Sequence, residues 1–312
     1  MIYSSDDRTP AHFSVRAVFL LLLIISATVR ILLALQPRIA STYVDELLYL
    51  KIAQNLWLRG TPTVWGLPMK FSKLLYSVLL SPFTAVQDST VRLTAISVMN
   101  ALLVSSSLIP GYFLGRRVLK NDFHLSLALL VLALSPNMGF SLTYMAENLF
   151  LPLALWGFWL ADRFLSDIAE RIPNPLSGFM LGFFCFFLYL TKEAGGAFLG
   201  AVMAVSLASG FFRKEKRGPL MLTCSALLLG FLVPFLVFRL TVFAGAGYSY
   251  SGQISSCVFS FDRLAFVLCS ALKILLFSCT VFCSSRWFCR CFVRKLCHPD
   301  IGICWLSVCC IC

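Results

Sequence analysis

Residues 13–35, FSVRAVFLLLLIISATVRILLAL, form a long apolar stretch near the start of the chain. About 20 mostly apolar residues are enough for a helix to cross the hydrocarbon core of a bilayer. The stretch is too long for the apolar segment of a cleaved signal peptide, and further apolar stretches follow it. We therefore predict that residues 13–35 form an uncleaved signal anchor that spans the membrane.

Arg30 interrupts this first stretch close to its end. A charge at that depth is costly, so its side chain either extends to the far membrane surface or faces the protein interior. Extension along the helix, with the apolar stem in the bilayer, is the simpler interpretation and the one that the sequence favours.

The composition excludes most soluble classes. Of 312 residues, 59% are hydrophobic and only 13% are charged, which excludes intrinsic disorder and an ordinary soluble domain. We predict an all-α polytopic membrane protein with about eight transmembrane helices. After the first stretch, the apolar runs cover residues 92–114, 124–140, 149–164, 176–190, 194–212, 219–243 and 264–282.

The net charge of +12 would suggest nucleic-acid binding in a soluble protein. Here the basic residues cluster between apolar runs, which is how membrane topology is encoded, so no nucleic-acid partner is expected. If residues 71–86, interrupted by Pro82, do not span, all basic clusters and the N-terminus lie on one side, predicted to be cytoplasmic. The clusters are Arg116, Arg117 and Lys120; Arg213, Lys214, Lys216 and Arg217; and Arg286, Arg290, Arg294 and Lys295.

If each of the apolar runs crosses the membrane once and residues 71–86 do not, a group of ionisable residues lies on the outer face. Asp45 and Glu46 begin a predicted amphipathic helix, residues 43–59, of the kind that lies along a membrane surface. Its apolar side is predicted to consist of Leu47, Leu48, Leu50, Ile52, Ala53, Leu56 and Trp57. The acidic pair has two interpretations: a capping box with Thr42, or carboxylates that act as a general base or bind a divalent cation.

Glu147 is a lone acid at the outer start of a predicted span, and it either caps that helix or serves a site. Lys192 could pair with Glu193 in a tight turn or bind a phosphate. Lys70 and Lys73 could bind a phosphate or contact lipid headgroups.

The order of these features resembles a known family. Residues 43–60, YVDELLYLKIAQNLWLRG, resemble the first outer loop of GT-C glycosyltransferases that use lipid-phosphate sugars, in which an Asp-Glu pair precedes an aromatic residue, an Ile-Ala and a helix that ends in Gly. The match extends over residues 13–240, and the most similar branch includes protein O-mannosyltransferases, aminoarabinose transferases and Rgt-type enzymes. Residues 73–76, KLLY, depart from the family's Pro-Pro-Leu-Tyr. Further matching elements are GLP at 66–68, RL at 92–93, GRRVL at 115–119, YMAENLFLPL at 144–153 and LTKE at 190–193.

The resemblance implies inverting transfer of a sugar from a polyprenyl- or dolichyl-phosphate carrier to a hydroxyl acceptor on the outer face. It implies that Asp45 is the base and that Glu46 and Glu147 support the site. Asp45 and Glu147 are also the implied ligands if a divalent cation is the cofactor. Lys70, Lys73 or Lys192 would bind the donor phosphate. The branch favours a bacterial plasma membrane, with the endoplasmic reticulum as the alternative location. A polytopic transporter or flippase-like protein, or a non-catalytic membrane protein, is the alternative.

The resemblance ends near residue 247, which predicts a GT-C-like domain over 1–247 and an atypical tail over 248–312. Eleven of the 13 cysteines lie in this tail. Their spacing does not match a C-x2-C zinc motif, and the predicted cytoplasmic location disfavours disulfides. A frameshifted or truncated product is the favoured explanation, and such a product is expected to be inactive if the lost part is needed.

Overall fold

The computed structural model describes residues 14–36, 44–64, 67–68, 73–135, 141–170, 174–212 and 217–242. All of them belong to one compact unit, Met1–Tyr248. The predicted boundary at residue 247 and the whole cysteine-rich tail lie outside the described residues, so both stay predictions.

The described part is mostly helical, as predicted for an all-α protein. A pair of two-residue antiparallel strands follows the second helix, with Thr63 opposite Pro68. The elements in chain order are α1 Val15–Ala34, α2 Val44–Arg59, β1 Thr63–Val64, β2 Leu67–Pro68, α3 Leu75–Leu80, a 3₁₀ helix Ser81–Ala85, α4 Ser89–Ser106, α5 Leu108–Val118, α6 Asp122–Ala133, α7 Glu147–Glu170, α8 Pro175–Thr191, α9 Ala194–Phe212 and α10 Arg217–Val242.

Within the described ranges, four stretches of helix are long and apolar enough to cross a membrane. This confirms the membrane character of the chain but not the count of about eight spans, because α6, α8 and the apolar part of α9 are shorter. The predicted run at 264–282 lies outside the described residues. The four candidate spans are Val15–Ala34, Ser89–Val118, Glu147–Ile168 and Gly218–Thr241.

Short polar caps explain where several apolar helices begin. Asp88 accepts hydrogen bonds from the backbone N–H groups of Thr90 and Val91 at 2.7 and 3.0 Å and so caps α4. Asn121 caps α6 and Asn174 caps α8 in the same way. A side-chain oxygen in this position satisfies backbone donors that have no partner within the helix.

The segment at 71–86 does not form a helix of spanning length in its described part. It consists of α3, six residues, and the five-residue 3₁₀ helix that contains Pro82. The buried side chains of Tyr76 and Leu80 pack in one cluster with Tyr49 and Ala53 of α2. The described part of this segment is therefore shorter than a membrane-spanning helix, in line with the condition that residues 71–86 do not span.

Two ion pairs lie at different levels of α7. At its start, Glu147 pairs with Lys192, which follows α8. Towards its end, Asp162 pairs with Arg117 of α5, and Ser166 accepts a hydrogen bond from the same arginine. The rise from Glu147 to Asp162, at about 1.5 Å per residue, corresponds to about 22 Å along α7. The acids and the first basic cluster therefore lie far apart, whereas the assignment of the cytoplasmic side stays a prediction.

The prediction that Arg30 extends to the membrane surface is wrong. Its side chain is 3% exposed and donates to Ser26 and Ser105 Oγ and, at 3.3 Å, to the carbonyl oxygen of Ala133. Ala133 is the last residue of α6, where carbonyl groups have no partner within the helix. Arg30 therefore faces the interior because α4 and α6 supply acceptors there.

Candidate functional site

The candidate site lies at the start of α2, where the acidic pair occupies the first helical turn. Glu46 is 2% exposed, and its Oε1 accepts a hydrogen bond of 3.0 Å from the backbone N–H of Tyr144. The neighbouring side chain of Asp45 is exposed. One carboxylate therefore anchors α2 to the segment before α7, and the other is accessible from outside the protein.

The structure shows which side chains of α2 pack on the protein and which are exposed. Tyr49, Ile52 and Ala53 are buried together with Glu46, so the face that packs on the protein contains an acid. Leu47 and Trp57, two residues of the predicted apolar side, are 48% and 51% exposed. Exposed apolar side chains on such a helix are suited to contact with the edge of a bilayer.

A buried polar network fixes the segment before α7. Tyr76 donates to Asn100 Oδ1 at 3.0 Å, and Asn100 in turn donates to the carbonyl oxygen of Thr143 at 3.0 Å. Asn148 donates to the same carbonyl at 2.8 Å. Burial raises the pKa of Tyr76, so its phenol stays protonated and donates. The network joins α3, α4 and α7 immediately behind the acidic pair.

Sequence reasoning did not identify this network. The one sequence feature that could have indicated the network is Asn100, a side-chain amide in the middle of the apolar run at 92–114. A polar side chain inside such a run needs a partner, because an unpaired buried amide is costly. The partner, however, is a backbone carbonyl 43 residues further along the chain, which no local pattern reveals.

Glu147 and Lys192 form the second part of the site. Their side chains pair with 2.6 Å between Oε1 and Nζ, and they are 26% and 39% exposed. Lys192 Nζ also lies 6.0 Å from the centre of the Phe150 ring. Tyr144, which binds Glu46, precedes Glu147 by three residues along the chain, so the two parts of the site adjoin.

The remaining predicted residues are only partly placed. Lys73 is half-buried immediately before α3, and Lys70 and Thr42 lie outside the described residues. Within the described ranges, no three or more His, Cys, Asp or Glu side chains group in a way that could hold a metal ion. Glu147 is already paired with Lys192, and Glu46 is buried against Tyr144. The described residues therefore do not form a metal site from protein side chains alone.

This arrangement combines two chemical capacities at one end of the helices. An exposed carboxylate can accept a proton from a hydroxyl group that approaches it. An accessible lysine is a compact cation that can bind a phosphate. Comparison with protein families, with curated proteins and with solved structures gave no match.

Proposed function

We propose that the protein is a membrane glycosyltransferase of the GT-C type. It would transfer a sugar from a polyprenyl-phosphate carrier to a hydroxyl acceptor on a lipid, glycan or protein. The proposal rests on the family resemblance of the sequence. In this proposal the protein crosses the plasma membrane about eight times, and the start of α7, with Glu147, faces away from the cytoplasm.

One structural observation carries the proposal. Exposed Asp45 adjoins a carboxylate, Glu46, whose hydrogen bond to Tyr144 connects α2 to the start of α7, where Glu147 and Lys192 pair. A lipid-linked donor needs a base and a phosphate-binding cation close to the bilayer edge. Asp45 lies in the first turn of α2, and Lys192 directly follows the last residue of α8, so two helices position both groups.

The proposed reaction uses these groups in a single displacement. The acceptor oxygen attacks the anomeric carbon of the donor sugar while the bond from that carbon to the phosphate oxygen breaks, and the configuration inverts. The acceptor proton passes to the Asp45 carboxylate, and the electron pair of the broken bond leaves with the polyprenyl phosphate. Lys192, with Lys73 and Lys70, would stabilise the charge of that phosphate.

Glu46 and Glu147 act as positioning residues in this proposal. Glu46 holds the first turn of α2, and with it Asp45, through the hydrogen bond from Tyr144. Glu147 holds Lys192 at 2.6 Å. No step is assigned to a metal ion, since the described carboxylates do not group around a common point.

A transporter or flippase-like function is the second candidate, and one observation favours it. Arg30 is a buried cation that binds the carbonyl end of α6, a helix of only 12 residues. Transporters use buried ionisable residues and interrupted helices near the middle of the membrane. The acids of the candidate site lie instead at the ends of helices, which favours surface chemistry.

The direct test is Asp45→Asn, which keeps the size of the side chain but removes the base. Membranes containing the full chain are supplied with undecaprenyl phosphate carrying tritiated glucose, mannose or aminoarabinose, and the label in lipid, glycan and protein fractions is measured. Loss of a general base is expected to slow transfer about 10²- to 10⁴-fold.

Asp167→Asn on α7 is the matched control, because Asp167 lies near the opposite end of that helix and outside the site. It should leave transfer unchanged. Equal rates for the wild type and Asp45→Asn would remove Asp45 from the mechanism. Absence of transfer from all three donors by the wild type would contradict the proposed activity on these sugars and favour the transporter.

A further inference from the structure

The lysine of the candidate site belongs to a very short link between α8 and α9. α8 ends at Thr191 and α9 begins at Ala194, so the link consists of Lys192 and Glu193. The backbone of Lys192 is extended, with φ of −156° and ψ of 139°. Loops this short between two helices adopt only a few conformations. The position of Lys192 therefore depends on how closely the two helices meet.

Both polar groups of the Lys192 backbone are held by the helices on either side. Its N–H donates to the carbonyl oxygen of Leu188 at 2.8 Å, and its carbonyl oxygen accepts from the N–H of Gly195 at 2.9 Å. The carbonyl oxygen of Glu193 accepts from the N–H of Gly196, also at 2.9 Å. The last turn of α8 and the first turn of α9 thus fix the point from which the lysine side chain extends.

Gly195 lies in close contact with the backbone of α8. An added Cβ at Gly195 would overlap with the peptide group that joins Leu188 to Tyr189. The carbonyl of that same peptide group accepts the N–H of Lys192. At Gly196 an added Cβ would lie 3.6 Å from the ring of Tyr189, which is an ordinary contact. A side chain is therefore excluded at the first glycine and tolerated at the second.

We infer that Gly195 is a positioning residue that holds Lys192 against Glu147. A side chain at Gly195 has to displace either the start of α9 or the last turn of α8, and these two turns hold the backbone of Lys192. The distance of 2.6 Å between Lys192 Nζ and Glu147 Oε1 depends on that backbone. That Lys192 is thereby placed to bind a donor phosphate rests on the proposed function, whereas the positioning itself rests on the backbone contacts.

The test measures acetylation of Lys192 by N-hydroxysuccinimidyl acetate in the full chain in detergent, quantified by mass spectrometry. The amine has to leave Glu147 in order to react, so the ion pair slows the reaction. Gly195→Ala should accelerate the acetylation of Lys192 about two- to fivefold, the usual range for a partly exposed ion pair. Gly196→Ala is the matched control and should leave the rate unchanged.

Gly182→Ala separates displacement of Lys192 from a general loss of stability. It overpacks α8 against α10, away from the link, so it should lower the thermal midpoint without changing the acetylation of Lys192. Equal acceleration in Gly182→Ala and Gly195→Ala would overturn the inference. An unchanged rate in Gly195→Ala would overturn it as well.

A double-mutant cycle tests whether Gly195 acts through the ion pair. Glu147→Gln removes the carboxylate and should itself accelerate the acetylation of Lys192. Adding Gly195→Ala to this variant should then have little further effect, because changes that remove the same interaction are not additive. A full second acceleration of two- to fivefold would show that Gly195 does not act by holding Lys192 against Glu147.

A second variant applies if Gly195→Ala does not fold. Insertion of one glycine between Glu193 and Ala194 lengthens the link, so the helices no longer fix Lys192. Acetylation should accelerate to a similar extent, and an unchanged rate in this variant would overturn the inference.

The functional consequence is measured separately with the labelled polyprenyl-phosphate sugars. Gly195→Ala should raise the KM for the donor and leave kcat nearly unchanged, whereas Gly196→Ala should change neither. Faster acetylation of Lys192 with an unchanged KM would support the positioning role and contradict the phosphate-binding role of Lys192. The acetylation needs no donor and no turnover, so it gives its result even if the proposed transferase activity is absent.

Discussion

At the residue scale, Arg30 illustrates how a buried charged side chain is accommodated inside an apolar protein. A buried guanidinium without partners would be strongly unfavourable. Here two serine hydroxyls and one carbonyl oxygen accept its hydrogen bonds, and the carbonyl belongs to the negative end of α6. A cation at the carboxyl end of a helix is favoured by the helix dipole. Arg30 therefore connects α1, α4 and α6.

Replacing Arg30 with Met should destabilise the protein. The change keeps much of the apolar stem but leaves three acceptors without their donor, at a cost of about 1–3 kcal/mol. The free energy of unfolding or the midpoint of thermal unfolding in detergent measures the effect. Arg16→Met, at an exposed position of the same helix, is the control. Equal midpoints for the two variants would contradict this role of Arg30.

The ion pair of Lys192 with Glu147 is partly exposed, in contrast to the buried hydrogen bonds of Arg30. Such pairs contribute only about 0–1 kcal/mol to stability. We therefore expect Lys192→Gln to leave the thermal midpoint nearly unchanged and to raise the KM for the polyprenyl-phosphate sugar.

Lys51→Gln is the control for this prediction, because Lys51 is an exposed lysine on α2 whose described contact is with Gln54. It should change neither quantity. An unchanged KM in Lys192→Gln would exclude Lys192 from phosphate binding. A large loss of stability would instead assign it a structural role.

At the scale of elements, α8 and α10 form a close helix pair. Gly178 and Gly182 lie one turn apart on α8, and an added Cβ at Gly182 would overlap with the carbonyl oxygen of Leu227. At Gly178 it would lie 2.6 Å from the carbonyl oxygen of Thr223. Small residues four apart are the usual means by which membrane helices approach each other closely. The absence of a side chain is therefore required at both positions.

Gly182→Ala should separate the two helices and cost about 1–3 kcal/mol, as overpacking usually does. Gly200→Ala on α9 is the matched control, because an added Cβ there meets no atom within 4 Å. A glycine in a helix costs about 0.5–1 kcal/mol relative to alanine, so this control should be neutral or stabilising. Thermal unfolding in detergent compares the two. A stable Gly182→Ala variant would show that the helices can move apart without cost.

At the scale of the whole molecule, the helices direct the ionisable groups to two ends. The acidic pair and Lys192 adjoin the start of α7, while Arg117 contacts its later turns. Basic clusters favour the cytoplasmic side of a membrane. The candidate site should therefore open away from the cytoplasm.

Cysteine labelling tests this orientation with Gln87→Cys and Lys120→Cys. Both positions are exposed, and they flank the candidate span Ser89–Val118. An impermeant maleimide added to intact cells should label residue 87, whereas residue 120 should react only after permeabilisation. Labelling of both from the same side would contradict the predicted topology, and the reverse pattern would place the site in the cytoplasm.

Part of the candidate site was predictable from local sequence. The helix over 43–59, its acidic first turn and the acid before the next long span follow from residue types at fixed spacings. The direction in which α2 faces was not predictable, since leucine and tryptophan are equally suited to a protein core and to a membrane edge. Packing against Tyr76 and Tyr144 buries Glu46 and leaves Leu47 exposed.

The sequence by itself determined that the chain is helical and apolar enough for a membrane. Backbone groups inside a bilayer must pair within their own segment, so long apolar runs dictate helices. Only the tertiary structure decided which charged groups meet. Glu46 binds a backbone group 98 residues away, Glu147 pairs with a lysine 45 residues away, and Arg30 binds a carbonyl 103 residues away. Such pairings depend on how the helices pack, because hydropathy sets the length of a helix but not its neighbours.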